Sequence, residues 1–278
     1  MDRITSRLSG TIQLEAPERR ALSECERGKL HCFEGATLKI ADNVKSCFED
    51  ALSGKFDAAM LHACIAIDAT SKLLYPKQGK VGKRFTQTIR DYYWLVEPTL
   101  GAGINFAETI FSNVKLPKND APDFADIVYE VFRCGHVHGD EVPENFRVVP
   151  TEIDRTSMYI FGKDTVRFPD LIVWSLISIA VFSRVNARQK VQPVGPYGLR
   201  IGDSEFHVEE WWGREDEVRP IANKHNQVKI SNEYMQRMLN APDDGTGMQY
   251  VVLQPEVPDH VLDSVEKKFG IHLPRSNT

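Results

Sequence analysis

Three things are scarce in this 278-residue chain: cysteine pairs, long apolar runs and excess basic charge. The five cysteines, at 25, 32, 47, 64 and 134, form no Cys-x-x-Cys pair and no recurring spacing. An odd count, with Cys47, Cys64 and Cys134 set inside apolar patterns, reads as reduced thiols in a cytoplasmic protein. The longest apolar run, LIVWSLISIAVF (171–182), has 12 residues and contains two serines. A bilayer span needs about 20, so this run reads as a buried helix. The N-terminal MDRITSRLSGTIQLEAPERR lacks the continuous apolar core of a signal peptide. With 34 basic and 39 acidic side chains, a net charge of -5 and a pI near 5.9, the composition argues against an extended duplex binder. It leaves room for a small basic pocket. Repeats and low-complexity tracts are also missing. The expectation is a soluble, cytoplasmic protein without membrane association.

What is present is ordinary globular material, 42% hydrophobic and 26% charged. A chain of this length can bury one large core. Residues 1–30 are polar and read as an N-terminal arm. Leu38, Ile40, Val44, Cys47, Phe48 and Leu52 recur at helical spacing, with Gly54 as a stop. KFDAAMLHACIAIDATSKLLYP reads as a mostly buried helix ended by Pro76, and residues 81–98 as an amphipathic helix closed by Pro98. The stretch 99–122 is irregular, with room for one short helix. DFADIVYEVFRCGHVHG (123–139) is a further helix, with Asp123 as N-cap and Gly139 as stop. FRVVP and SMYIFG, either side of TEIDRT, suggest a β-hairpin, and 168–188 returns to an apolar helix. Beyond the Pro/Gly-rich segment 192–203 the pattern is mixed. FHVEEWW, EVRPIA and QYVVLQP have strand character, while SNEYMQRML and DHVLDSVEKKF look helical. The fold class expected is mainly α: a helical domain over 31–190 with a β-hairpin insertion, then a small α+β appendage over 200–278. Trp211 and Trp212 in the appendage suit either core or an exposed patch.

The chemistry concentrates at Arg133-Cys134-Gly135-His136-Val137-His138. At about 100° per residue, Phe124, Ile127, Val128, Val131 and Phe132 define a buried stripe, and Arg133 lies opposite it. His136 falls one turn on and can reach the Arg side, whereas His138 falls inside the stripe if the helix stays straight. A guanidinium is shaped to hold phosphate oxygens, and an imidazole can move a proton to or from a hydroxyl. Together they suit RNA cleavage by the 2′-OH, with the Arg stabilising charge on the phosphate. The plainer reading is that His136 simply sits well at a helix C-terminus. A Cys134/His136/His138 metal site lacks a fourth ligand and the usual spacing, and Cys25 with His31 and Cys32 is weaker still. No metal or cofactor is expected. Asp68, between apolar neighbours in CIAIDATSKLL, is either a solvated face position or a buried helper that orients a basic group.

FRCGHVHG, preceded by helices carrying CIAIDATSKLLYP and KRF and followed by PENFRVV, resembles the HEPN superfamily of helical-bundle proteins. The resemblance covers roughly residues 35–188 and centres on an Arg-x4-6-His motif. It implies an antiparallel HEPN-like bundle and a metal-independent endoribonuclease whose site forms at a homodimer interface. It also implies a toxin–antitoxin or antiphage defence role, with RNA as substrate and an antitoxin or defence protein as partner. Carried over by motif, Arg133 and His138 are the catalytic pair. Cys134 stands where the family usually has Asn, Asp or His, and His136 becomes a neighbour. The alternative function is a non-catalytic module for dimerisation or for RNA or nucleotide binding.

Overall fold

A computed structural model describes residues 40–101, 103–117, 119–135, 141–150, 158–189, 194–227, 229, 231–239 and 249–252. The expected N-terminal arm, His136, His138, the Gly139 stop, the TEIDRT turn and the DHVLDSVEKKF helix lie outside these residues.

The described chain is mainly helical with two small antiparallel sheets. Helices α1 (Ile40–Leu52) and α2 (Phe56–Leu74) form an antiparallel pair across a tight turn. Gly54 takes φ +74° there, the left-handed conformation that suits glycine just past a helix. Helix α6 (Leu171–Phe182) is the central element, and it packs on α1, α2 and α4. Ten of its 12 residues are buried, which is why its sequence is apolar all round rather than amphipathic. Ser175 and Ser178 turn their hydroxyls back to the carbonyls of Ile172 and Ser175, so neither is left unpaired in that interior.

The expected single helix over 81–98 is two, α3 (Val81–Asp91) and α4 (Tyr93–Leu100), broken at Tyr92. The reason lies in tertiary contacts: the buried Tyr92 hydroxyl reaches Ser183 and Glu215, both at 2.7 Å. Pro98, read as a terminator, sits inside α4, which continues to Leu100. The described residues of 99–122 form turns and isolated bridges after α4 ends, without the expected short helix. Phe106 and Phe111 anchor this stretch. Phe106 stacks on Phe124 at 4.1 Å between centroids, and Phe168 meets Phe124 edge-on at 5.2 Å.

The β-hairpin is displaced from its expected place. β1 (Met158–Gly162) pairs with β2 (Thr165–Arg167) across Lys163-Asp164, while Glu144–Phe146 forms a 3-10 turn and Val149 only bridges Pro169. β3 (Gly198–Ile201) and β4 (Ser204–His207) form a second hairpin, which runs into the short α7 (Val208–Trp211). EVRPIA, read as strand, lies in α8 (Glu215–His225), with Pro220 inside it. SNEYMQRML and QYVVLQP keep their expected types in α9 (Asn232–Leu239) and β5 (Gln249–Val252). Among the described residues after 200, β5 is the third strand of the β2-β1-β5 sheet, and α8 packs against α4. Trp212 is core: its ring is buried and its Nε1 donates to the Asn186 carbonyl at 2.7 Å. No helix among the described residues is long and apolar enough to cross a membrane.

Candidate functional site

Arg133 lies on a helix that is held hard at its start and wound unusually at its end. Helix α5 (Phe124–Ile127) begins with a reciprocal capping box: the Asp123 carboxylate accepts from Asp126 N at 2.9 Å, and the Asp126 carboxylate from Asp123 N. Arg90 of α3 clamps both acids, at 2.6 and 3.0 Å to Asp123 and 2.7 Å to Asp126. The fork geometry suits a guanidinium bridging two carboxylates. From Val128 to Cys134 the chain continues as a π-helix, with i→i+5 hydrogen bonding. Such windings are rare and recur at functional sites. The straight α-helix assumed from periodicity therefore fails from Val128 onward, although Val128, Val131 and Phe132 remain buried as that stripe required.

The decisive contact is one that spacing along a single helix cannot show. Asp68 on α2 receives Arg133 Nη2 on Oδ2 at 3.2 Å and Arg84 Nη2 on Oδ1 at 3.0 Å. Arg84, on α3, also donates through Nε to Ser71 Oγ at 3.2 Å, and Ser71 donates to the Asp68 carbonyl at 2.7 Å. One carboxylate thus fixes two guanidiniums from two other elements. The side chains are 8% exposed for Arg84, 19% for Arg133 and 21% for Asp68, so the trio sits just under the surface with Arg84 deepest. Asp68 is therefore the buried helper rather than the solvated face residue. The observed partner of Arg133 is Asp68. His136 and His138 fall outside the described residues, so the periodicity pairing with His136 and the motif pairing with His138 are both left as expectations.

The surroundings shape this charge. Burial works against the Arg133 cation, but its hydrogen bond and charge pairing with Asp68 outweigh that and raise its pKa. Tyr129, one turn before, lies 5.7 Å from the guanidinium. Burial raises its phenol pKa, and the neighbouring Cys134 pushes in the same direction. Phe85 tilts against Tyr129 at 5.5 Å between centroids. Gly82 presses on the ring: a Cβ there would sit 2.8 Å from Tyr129 Cζ, so a larger residue at 82 would have to push the Tyr129 ring aside. Cys64, one turn before Asp68 on α2, is fully buried, and burial pushes its thiol up to about 12. It is an inert floor. Cys134 is half-exposed.

Sequence reading did not single out Arg84, Ser71, Tyr129 or Gly82. A usable signal existed for Arg84, which stands one turn before the buried Thr88 and beside Phe85, a place where an Arg needs a partner.

The chain belongs to the Rv1289 family, whose sequence profile matches residues 39–238. That span takes in Asp68, Arg84 and Arg133. Its relatives include uncharacterized protein Rv1289 of Mycobacterium tuberculosis (strain H37Rv) and uncharacterized protein Mb1320 of Mycobacterium bovis. Each is 32% identical over 189 residues, covering 67% of this chain and 89% of the relative. No solved structure matches the chain.

Proposed function

We propose that the Arg133 cluster is the active site of a metal-independent endoribonuclease of HEPN type, dimeric and serving a toxin or defence role, with Arg133 holding the scissile phosphate and His138 moving the proton. The observation that carries this reading is the shared carboxylate: Asp68 takes Arg84 and Arg133 on separate oxygens. Two guanidiniums on one carboxylate leave a net positive charge at the rim. A guanidinium has five N–H donors, so the single Nη2 bond to Asp68 leaves Arg133 able to grip a phosphate. Held in this way, it meets developing charge without reorganising.

In the proposed reaction the ribose 2′-oxygen forms a bond to phosphorus as the 5′-oxygen bond breaks. The 2′-OH proton passes to a base and a proton returns to the 5′-oxygen. The products are a 2′,3′-cyclic phosphate and a 5′-hydroxyl. Purified protein should cut single-stranded RNA in EDTA with these ends. Arg133→Ala should slow cutting by about 10²–10³ and His138→Ala by about 10²–10⁴, and expression toxicity in cells should fall with Arg133→Ala. Cutting unchanged in both variants rules the reading out.

A second reading has one observation in its favour. The Cys134 thiol lies beside Arg133 and Tyr129, where the resembled family has a more polar group. In that case the cluster binds RNA or a nucleotide without turnover, and titration shows binding with no product.

A further inference from the structure

From residue 69 to residue 90 the chain carries no acidic side chain, while Lys72, Lys77, Lys80, Lys83, Arg84 and Arg90 all fall in that interval. In a protein of net charge -5 this is a local inversion of sign. The two arginines are committed, Arg84 to Asp68 and Arg90 to Asp123 and Asp126. The four lysines are all exposed. Among the described residues none of them has an ion-pair partner, whereas the exposed Lys45 and Lys55 pair with Glu49 and Asp50.

Their placement is also costly to the fold in part. Lys72 lies in the last turn of α2, where a cation suits the helix dipole. Lys80 and Lys83 stand at the start of α3, the end that favours anions. That first turn contains no acid and no capping side chain. Folding alone would choose the opposite charge there. An anion laid across the turn removes the conflict.

The tract also leads to the right place. It leaves the helix that carries Asp68, crosses the α2–α3 loop and enters the helix that carries Arg84. Gly82, flanked by Val81 and Lys83, packs directly on Tyr129, one turn from Arg133.

We propose that Lys72, Lys77, Lys80 and Lys83 form a rail that holds the phosphodiester backbone of a single-stranded RNA and delivers one phosphate to Arg133. This rests on the ribonuclease reading for its destination, while the rail itself is measured by binding. A duplex would need a broad positive face, which the overall charge opposes. Four exposed ammonium groups distributed from the end of α2 across the loop to the start of α3 suit the spaced phosphates of one strand.

The test uses the full chain and a fluorescein-labelled oligouridine, with affinity read by anisotropy across a potassium chloride series. Circular dichroism confirms that each variant is folded. Each phosphate neutralised on a single strand contributes about 0.7 to the salt slope, so K72Q/K77Q/K80Q/K83Q should lower the slope by roughly 3 and weaken low-salt binding by more than tenfold. The control K45Q/K115Q/K163Q/K224Q removes four exposed lysines elsewhere and should change the slope little. Equal loss in the control overturns the rail, as does wild-type affinity in the rail variant. Lysine-dependent binding to phosphatidylserine vesicles with no binding to the oligouridine overturns it too. The two readings fail separately. RNA held through the lysines but never cut sinks the nuclease alone, and Arg133-dependent cutting that ignores the lysines sinks the rail alone.

Discussion

Replacing Asp68 by alanine leaves two guanidiniums facing an empty place, one of them only 8% exposed. Removing one member of a fully buried ion pair costs about 3–5 kcal/mol, and an exposed pair contributes under about 1 kcal/mol. Asp68 is 21% exposed yet serves two partners at 3.0 and 3.2 Å, which places the expected loss near about 3 kcal/mol. For a chain of this size, about 2–4 °C of melting temperature accompanies each kcal/mol, so the midpoint should fall by roughly 6–12 °C. Urea denaturation followed by circular dichroism gives the free energy directly. The double variant Asp68→Ala/Arg84→Met removes the deeper stranded charge as well and should recover at least about 1 kcal/mol relative to Asp68→Ala. A single-variant loss below about 0.5 kcal/mol would refute the reasoning, since it would make Asp68 a solvated surface carboxylate. Strict additivity of the two substitutions would refute it equally, because groups in contact must couple.

Other outcomes follow from the same geometry. Gly82→Ala should destabilise by about 1–3 kcal/mol through collision with the Tyr129 ring, less alanine's helical advantage of about 1 kcal/mol. In a Tyr129→Ala background the same change should be neutral or stabilising by urea titration, and an unchanged penalty there would assign the strain elsewhere. At Glu215, burial raises the carboxyl pKa, but hydrogen bonds from Tyr92, Arg219 and the Arg184 backbone outweigh it and hold the pKa below the usual 4.5. Its contribution is therefore complete above that pH and is lost as the pH falls through the lowered value. The wild type should lose stability on acidification below 4.5 more steeply than Glu215→Gln, as followed by melting temperature against pH. Brief iodoacetamide treatment followed by peptide mass spectrometry should label the half-exposed Cys134 and spare Cys47 and Cys64, both buried with raised thiol pKa values. Labelling of Cys64 in the folded protein would contradict its place in the floor of the site.

The helices at α1, α2, α5 and α6 were legible because their apolar periodicity and caps are local properties. Asp123 as N-cap and the all-round apolar α6 follow from short windows of sequence. The break at Tyr92 was not legible, because its cause, a hydroxyl reaching Ser183 and Glu215, lies far along the chain. EVRPIA looked like a strand because Val218 and Ile221 are β-branched and Pro220 speaks against a helix interior, yet packing of Val218 and Ala222 into the core holds it helical. Arg133 stood out by composition alone. Its partner did not, since Asp68 is 65 residues away and local periodicity left its two roles undecided. Arg84 was passed over because the amphipathic pattern of 81–98 gives no sign of a partner 16 residues earlier.

The π-wound segment has a consequence for chain length. An i→i+5 turn consumes one more residue than an i→i+4 turn over nearly the same rise, so Val128–Cys134 carries what amounts to a one-residue surplus. Deleting a half-buried position such as Glu130 gives the segment a route back to ordinary α winding, with better hydrogen bonds and a more regular core face. Because the π winding absorbs the surplus, the same deletion leaves the side chains after it, Arg133 included, in nearly their present directions. A shorter, more regularly wound helix that still presents Arg133 to Asp68 is thus one deletion away. Relatives within this family can be sorted by whether their chains keep that surplus residue between the Asp123 cap and the arginine.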